Sequence, residues 1–418
     1  MAWARRPRPV TRAALELLNA ANGLHPISRR PLAGLLVFWM GWPTSEVPGL
    51  YATASVLDAV RRGRRGDFAG RRGRLALALT AASWATLGMI RYRAVRTSGP
   101  VLEAALTDQL GAGYGRALDA LPAEFTDRGP RTLPLRTTVA RRRFVDKQNV
   151  VSYGPHGRAN LADVWRRSDL PRDGKAPVLL QVPGGAWMIG WRRPQAYPLM
   201  SHLVSRGWVC VSMNYRVSPW HTWPDHIVDV KRALAWVKEH IADYGGDPDF
   251  VAISGGSAGG HLSSLAALTP NEARFQPGFE EADTSVVAAV PFYGRYDWYS
   301  TDGDGRSEFV RVLEKLIVKH GLDTHRHIYL DASPIQYIRP DAPPFFVLHG
   351  ADDSLIPVAE AREFVAELRA VSKAPVAYAE LPSAQHAFDI FGSPRAHRSA
   401  EAVARFLSWV YVTRDARG

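Results

Sequence analysis

From about Val139 onward, short apolar runs alternate with amphipathic helical stretches. That alternation predicts an α/β fold with a mostly parallel central sheet covered by helices on both faces. A second observation predicts an addition to it. The first hundred residues lack the alternation, are rich in arginine and apolar residues, and read as a helical N-terminal extension. A third observation separates the two: Pro122, Pro130 and Pro134 punctuate a linker, so the expected division is residues 1–135 and 136–418.

The extension opens with a basic arm and a short amphipathic stretch, AALELLNAAN, in which Glu16 and Asn19 interrupt any signal-peptide-like apolar run. Leu32–Trp42 is strongly apolar and is broken by Pro43, Glu46 and Pro48. Leu75–Ile90 carries no charge over 16 residues and is bracketed by arginines on both sides. A spanning helix needs about 20 residues, so this segment reads as a short span with snorkelling arginines or as an interfacial or buried helix. Residues 100–118 read as helical.

In the second part, VVSYG and ANLADVW read as a hairpin, and Ala176–Val182 and Gly207–Tyr215 as strands. Apolar residues at Ile227, Val230, Leu234 and Val237 mark a helix over Asp225–Ile241. VAIS, VVAAVPFY, PFFVLHG and VAYAEL supply four more strands. Helices are expected over His261–Leu268, around Glu308–His320, and near Ala359–Ala370 and Arg398–Val410.

Charge and cysteine use restrict the function. The net charge is +12, and the first hundred residues carry all of it, with sixteen arginines against Glu16, Glu46, Asp58 and Asp67. A basic segment suits nucleic acid or an anionic membrane; the interleaved LLVFWMGW and LALALTAASW favour lipid. The expected location is therefore a membrane or the cell envelope, with the cytoplasm as the alternative, and no nucleic-acid partner is expected. The single cysteine, Cys210, sits in an apolar strand pattern and forms no disulfide framework. No metal-ligand spacing and no cofactor motif is expected.

The chemistry-bearing stretch is VAISGGSAGGHL, Val251–Leu262. Gly255 and Gly259 flank Ser257 as G-x-S-x-G between a strand and a helix, a pattern that holds a serine hydroxyl at the tip of a tight turn. In a doubly wound sheet, partners collect at the carboxyl ends of strands. Asp352 and Asp353 follow PFFVLHG, where a carboxylate can orient an imidazole, cap a helix or serve a turn. His386 follows VAYAELP and suits a general base. The chain order Ser257, Asp353, His386 is the Ser–Asp–His order of acyl-transfer hydrolases. PGGAWMIG, after Ala176–Val182, brings small residues to where backbone N–H groups can stabilise an oxyanion. The amide of Ala258, next to the serine, is a second donor.

Residues 140–412 resemble the α/β-hydrolase superfamily, in the carboxylesterase and lipase branch related to hormone-sensitive lipase, and are most similar to actinobacterial Lip-type esterases. PGGAWMIG, NYRVSPWHTWPDHIVDVKRALAWV, ISGGSAGGHL and LHGADDSLIPV with SAQHAF carry the resemblance. It implies an α/β-hydrolase fold and a serine carboxylic-ester hydrolase working through an acyl-enzyme, with Ser257 as nucleophile, Asp353 as acid and His386 as base. Asp353 fits the H-G-x-x-D spacing from His349; Asp352 does not. The implied oxyanion donors are the amides of Gly185, Ala186 and Ala258. Pro183 stands where the family has histidine and Ala186 where it has glycine. The Tyr215–Arg216 pair is implied to be architectural.

The expected substrate is a small-molecule or lipid ester. Trp187, Trp191, Trp220, Trp223 and Trp298 are candidates to line its pocket or to fill the core. A peptidase or amidase on the same fold is an alternative, as is a non-catalytic binding protein.

Overall fold

The computed structural model describes residues 9–28, 31–121, 139–300 and 306–414. The expected linker, and with it the boundary near residue 135, lies outside the described residues.

Eight strands form one sheet in the order β1-β2-β4-β3-β5-β6-β7-β8. β1 (Val150–Ser152) and β2 (Leu161–Trp165) are the expected hairpin and pair antiparallel. β2 is also antiparallel to β4 (Val209–Met213). β3 (Ala176–Val182), β5 (Gly246–Gly256), β6 (Ala288–Phe292), β7 (Phe345–Gly350) and β8 (Val376–Leu381) run parallel to their neighbours. All seven residues of β3 are buried, as expected for a strand covered on both faces. Val178, Leu180 and Val182 join one core; Leu179 joins the other. The strand order reverses at β3, so the crevice beyond the carboxyl ends of β3, β4 and β5 is the topological switch point where such sheets bind ligands.

Among the described residues, five helices of 13 residues or more precede the sheet: α1 (Pro9–Leu24), α2 (Pro31–Glu46), α3 (Pro48–Arg64), α4 (Gly70–Arg96) and α5 (Ser98–Leu110). Leu75–Ile90 is therefore the middle of a 27-residue helix whose arginines lie within the helix itself. Small residues along α4, Gly73, Ala76, Thr80 and Ser83, are buried, and α4 packs on α1 and α3. Leu102 and Leu106 of α5 are buried in the same core as β8 and the C-terminal helix.

Among the helices of the α/β part, α6 is Tyr197–Ser205, α7 Asp225–His240, α8 Ala258–Leu268, α9 Val358–Val371 and α10 Pro394–Val412. The stretch expected as one helix around Glu308–His320 is a helical segment, Arg306–Val312, continued by a π-helical turn, Leu313–Ile317.

Candidate active site

β5 delivers the serine. The strand ends at Gly256 and α8 begins at Ala258, so the whole reversal is made at Ser257, with φ +58° and ψ −121°. A non-glycine residue held there costs free energy that its surroundings must offset. Ser257 donates its backbone N–H to the Phe292 carbonyl at 3.0 Å and accepts from His261 N at 3.0 Å. The helix starts three residues before the expected His261. Gly259 and Gly260 serve packing: a Cβ on Gly259 would lie 2.2 Å from the Val182 carbonyl oxygen, and one on Gly260 2.7 Å from the Phe292 carbonyl oxygen.

His261, four residues from the serine, is structural. Trp187 Nε1 donates to its Nδ1 at 3.1 Å, so its Nε2–H points at the Ala332 carbonyl oxygen, 2.6 Å away. Burial pushes the imidazole down to about 3, which keeps it neutral.

β7 and β8 deliver the other two groups. His386 Nδ1 lies 2.6 Å from Asp353 Oδ2. Asp353 Oδ1 accepts the backbone N–H groups of Leu355 and Ile356, both at 2.8 Å. His349 Nε2 lies 3.4 Å from Asp353 Oδ2 and 3.0 Å from the Ile356 carbonyl oxygen. Burial alone would raise the Asp353 carboxyl, but His386 and His349 outweigh it and hold it well below the usual carboxylate range. Gln385 ties the two loops together, its Oε1 accepting Ser354 N at 2.7 Å and His386 N at 2.8 Å. Asp352 points elsewhere and pairs with His25 Nδ1, beyond the end of α1, at 2.8 Å.

The loop after β3 lies against the elbow. A Cβ on Gly184 would sit 2.5 Å from the Gly256 carbonyl oxygen and 3.2 Å from Ser257 Cβ, so only glycine permits this approach. Gly185, Ala186 and Trp187 follow with φ of +128°, +52° and +58°. The left-handed Ala186 gives the physical reason that glycine suits this position, and its methyl costs about 1 kcal/mol. Gln195 clamps the loop, accepting Gly184 N at 2.7 Å and donating back to Gly184 O at 3.1 Å. Sequence reasoning missed Gln195; a polar residue shortly after a glycine-rich loop gives no specific signal.

Tyr293 joins the parts. Its ring centroid is 4.6 Å from that of His386, a Cβ on Gly256 would lie 2.7 Å from its Oη, and its hydroxyl donates to Asp389. From the other side comes the N-terminal region. Phe38 of α2 stands edge-on to His386 with centroids 5.9 Å apart, and Ser354 Oγ reaches the Gly34 carbonyl at 3.5 Å.

Of the five candidate tryptophans, Trp187, Trp223 and Trp298 are buried around His261. Trp191 and Trp220 are exposed and line a cavity of about 700 Å³ with Arg158, Arg192, Tyr215 and His221. Arg216 is bound to Asp229 and Asp225, which agrees with an architectural role for the Tyr215–Arg216 pair. Among the described residues, no group of three or more His, Cys, Asp or Glu could hold a metal ion.

An elbow serine after β5, an aspartate after β7 and a histidine after β8 on this sheet define an α/β-hydrolase. The solved structures agree on the fold. A Thermogutta terrifontis esterase with propionate bound is 24% identical, with a TM-score of 0.52 over 63% of this chain and 93% of that one. A truncated carbohydrate esterase from gut microbiota is 20% identical, with a TM-score of 0.54 over 64% and 97%. Residues 169–368 match the BD-FAE family model. Two proteins of Mycobacterium tuberculosis are much more similar. A probable carboxylic ester hydrolase, LipM, is 50% identical over 97% of this chain and 93% of its own length. The esterase LipQ is 44% identical over 90% and 84%. The chain belongs to this family of Lip-type carboxylic ester hydrolases, and the match extends through the N-terminal helices.

Proposed function

We propose that Ser257, His386 and Asp353 carry the ester hydrolysis and that the amides of Gly185, Ala186 and Ala258 receive the oxyanion. The observation that supports this best is the 2.6 Å contact of His386 Nδ1 with Asp353, on the loop whose neighbour Tyr293 also touches the elbow. With Nδ1 bound to a carboxylate, Nε2 is the nitrogen left to take the Ser257 proton. Ser257 Oγ attacks the ester carbonyl carbon, and the carbonyl oxygen takes the charge. The C–O bond to the alcohol then breaks, and His386 returns the proton to the leaving alkoxide. Water, deprotonated by His386, attacks the acyl-enzyme and releases the carboxylic acid and Ser257. Ser257→Ala should lower turnover of p-nitrophenyl esters on the order of 10⁴-fold or more, and a serine-reactive phosphonate should label Ser257 alone. Retained turnover in folded Ser257→Ala would refute the assignment.

The proposal includes a lipid ester as substrate and association of residues 1–100 with a membrane surface. The helical run Gly70–Leu110, α4 followed by α5, is long and apolar enough by length and composition to cross a bilayer. An interfacial placement is favoured by what lies beside α4. Arg62 is bonded to Thr80, and Arg12 and Arg62 pair with Asp58, a cluster costly to carry into hydrocarbon.

A further inference from the structure

Helix α2 is apolar on nearly every side, a composition that suits a helix covered all round. Protein covers only one side. Gly34, Val37, Phe38 and Gly41 face inward and are buried, while Leu35, Leu36, Trp39 and Met40 face out, Leu36 being 69% and Met40 57% exposed. The spacing is that of two opposite faces of one helix. On α3, Leu50 and Leu57 are exposed as well.

We propose that this face of α2 seats on an anionic lipid surface, and that the active site beneath it takes esters delivered from the lipid phase. The inference rests on the membrane association proposed above and identifies where it happens. Charge selects the partner. Arg61, Arg64, Arg65, Arg71, Arg72 and Arg74 are exposed at the α3–α4 turn. Of the four acidic residues in the first hundred, Glu46 is buried against Arg395, Glu16 and Asp58 are paired with Arg12, and Asp67 is a single carboxylate at the turn against these six arginines. Exposed apolar residues combined with exposed arginines in one helical region bind bilayers with anionic headgroups. The inner face supplies the connection. Phe38 stands on His386 at 5.9 Å, and Trp42 Nε1 donates to the Ala387 carbonyl at 2.8 Å, so one helix separates the catalytic histidine from the lipid.

The test uses the full-length protein and the double variant Leu36→Glu with Met40→Glu. Trp39 is left in place because its ring touches Phe38 and Trp42. Sedimentation is measured with vesicles of phosphatidylcholine containing phosphatidylglycerol and with phosphatidylcholine alone. Wild type should pellet with the anionic vesicles at least tenfold better than with neutral ones, and the variant should lose at least tenfold of that binding. Hydrolysis of dissolved p-nitrophenyl butyrate should stay within twofold, while hydrolysis of a long-chain ester embedded in anionic vesicles should fall at least tenfold. A variant that pellets like wild type overturns the inference and leaves membrane association standing. Wild type that stays in the supernatant overturns both; a dimer lost in the variant would then assign the face to a second copy. Failure of the esterase assignment would show differently, as no hydrolysis of either ester by wild type with pelleting unchanged.

Discussion

Trp42, on the second helix of the chain, donates its indole N–H to the carbonyl oxygen of Ala387 at 2.8 Å, one residue past the proposed catalytic base. The contact is one of a set. Further along the same helix, Glu46 and Arg395 form a fully buried ion pair, and Ser393 donates to the same carboxylate at 2.8 Å. Arg395 also reaches the Ser383 carbonyl at 3.1 Å. The helical extension and the loop carrying His386 are thus held by one polar network closed off from water.

Glu46 tests that network. Burial raises its carboxyl above the usual range, against the opposing pull of Arg395. Removing one member of a buried pair strands the other, so Glu46→Ala should destabilise the protein by about 3–5 kcal/mol. Replacing both, as Glu46→Leu with Arg395→Met, should recover most of the loss. Denaturant unfolding of the three proteins measures this. Equal destabilisation by the single and double variants would show that the pair is not what joins the two regions.

The adjacent aspartates should separate sharply. Asp353→Asn keeps the shape but lets His386 adopt the wrong tautomer, and kcat should fall by about 10⁴-fold. Asp352→Asn should leave kcat within a few-fold, because that carboxylate faces His25. Steady-state kinetics on one soluble ester decide it, and similar losses in both would refute the assignment of Asp353.

The proposed oxyanion loop gives a third expectation. At Gly185, φ is +128° and a Cβ would lie 2.1 Å from the Ile189 carbonyl oxygen. Gly185→Ala must therefore move the loop, and kcat should fall by about 10²–10³-fold, the loss of one oxyanion donor. Ala186→Gly relieves a left-handed alanine and should keep kcat within a few-fold while raising thermal stability slightly. Loss of activity in Ala186→Gly would mean that the strained conformation itself positions the donors.

Much of the α/β part was legible because its signals are local. β3 is an apolar run interrupted only by Gln181, and the glycines around Ser257 mark the strand-to-helix reversal. Asp353 and His386 could be sought at strand ends because function in this sheet collects there. What stayed hidden depends on contacts between distant segments. Phe38 and Trp42 look like any aromatic residues of an apolar helix, and Glu46 looks like a break in one. Its distant partners, Ser393 and Arg395, lie 347 and 349 positions later. The extension therefore read as separable, although Leu102 and Leu106 of α5 sit in the core beside β8. Asp389, three residues past His386, gave no signal either, since its partner Tyr293 lies 96 positions away.

Asp389 provides the last prediction. Burial raises its carboxyl from 3.8 to about 6, against the hydrogen bond from Tyr293 and the charge of His386. The folded chain therefore binds this proton more tightly than the unfolded chain does. The sign follows: the group's contribution to stability is complete below about pH 4 and is lost as pH rises through 6. A shift of this size is on the order of 3 kcal/mol. Asp389→Asn leaves an amide oxygen to accept from Tyr293 and cannot ionise. Wild type should thus lose stability relative to Asp389→Asn between pH 4 and 7, by up to that amount, when urea unfolding is measured across the range. Because Glu46, whose carboxyl is also raised by burial, lies in the same region, the difference between the two proteins is the quantity to follow. A difference that stays flat with pH would mean that Asp389 is already ionised at pH 4 and that His386, not burial, governs its charge.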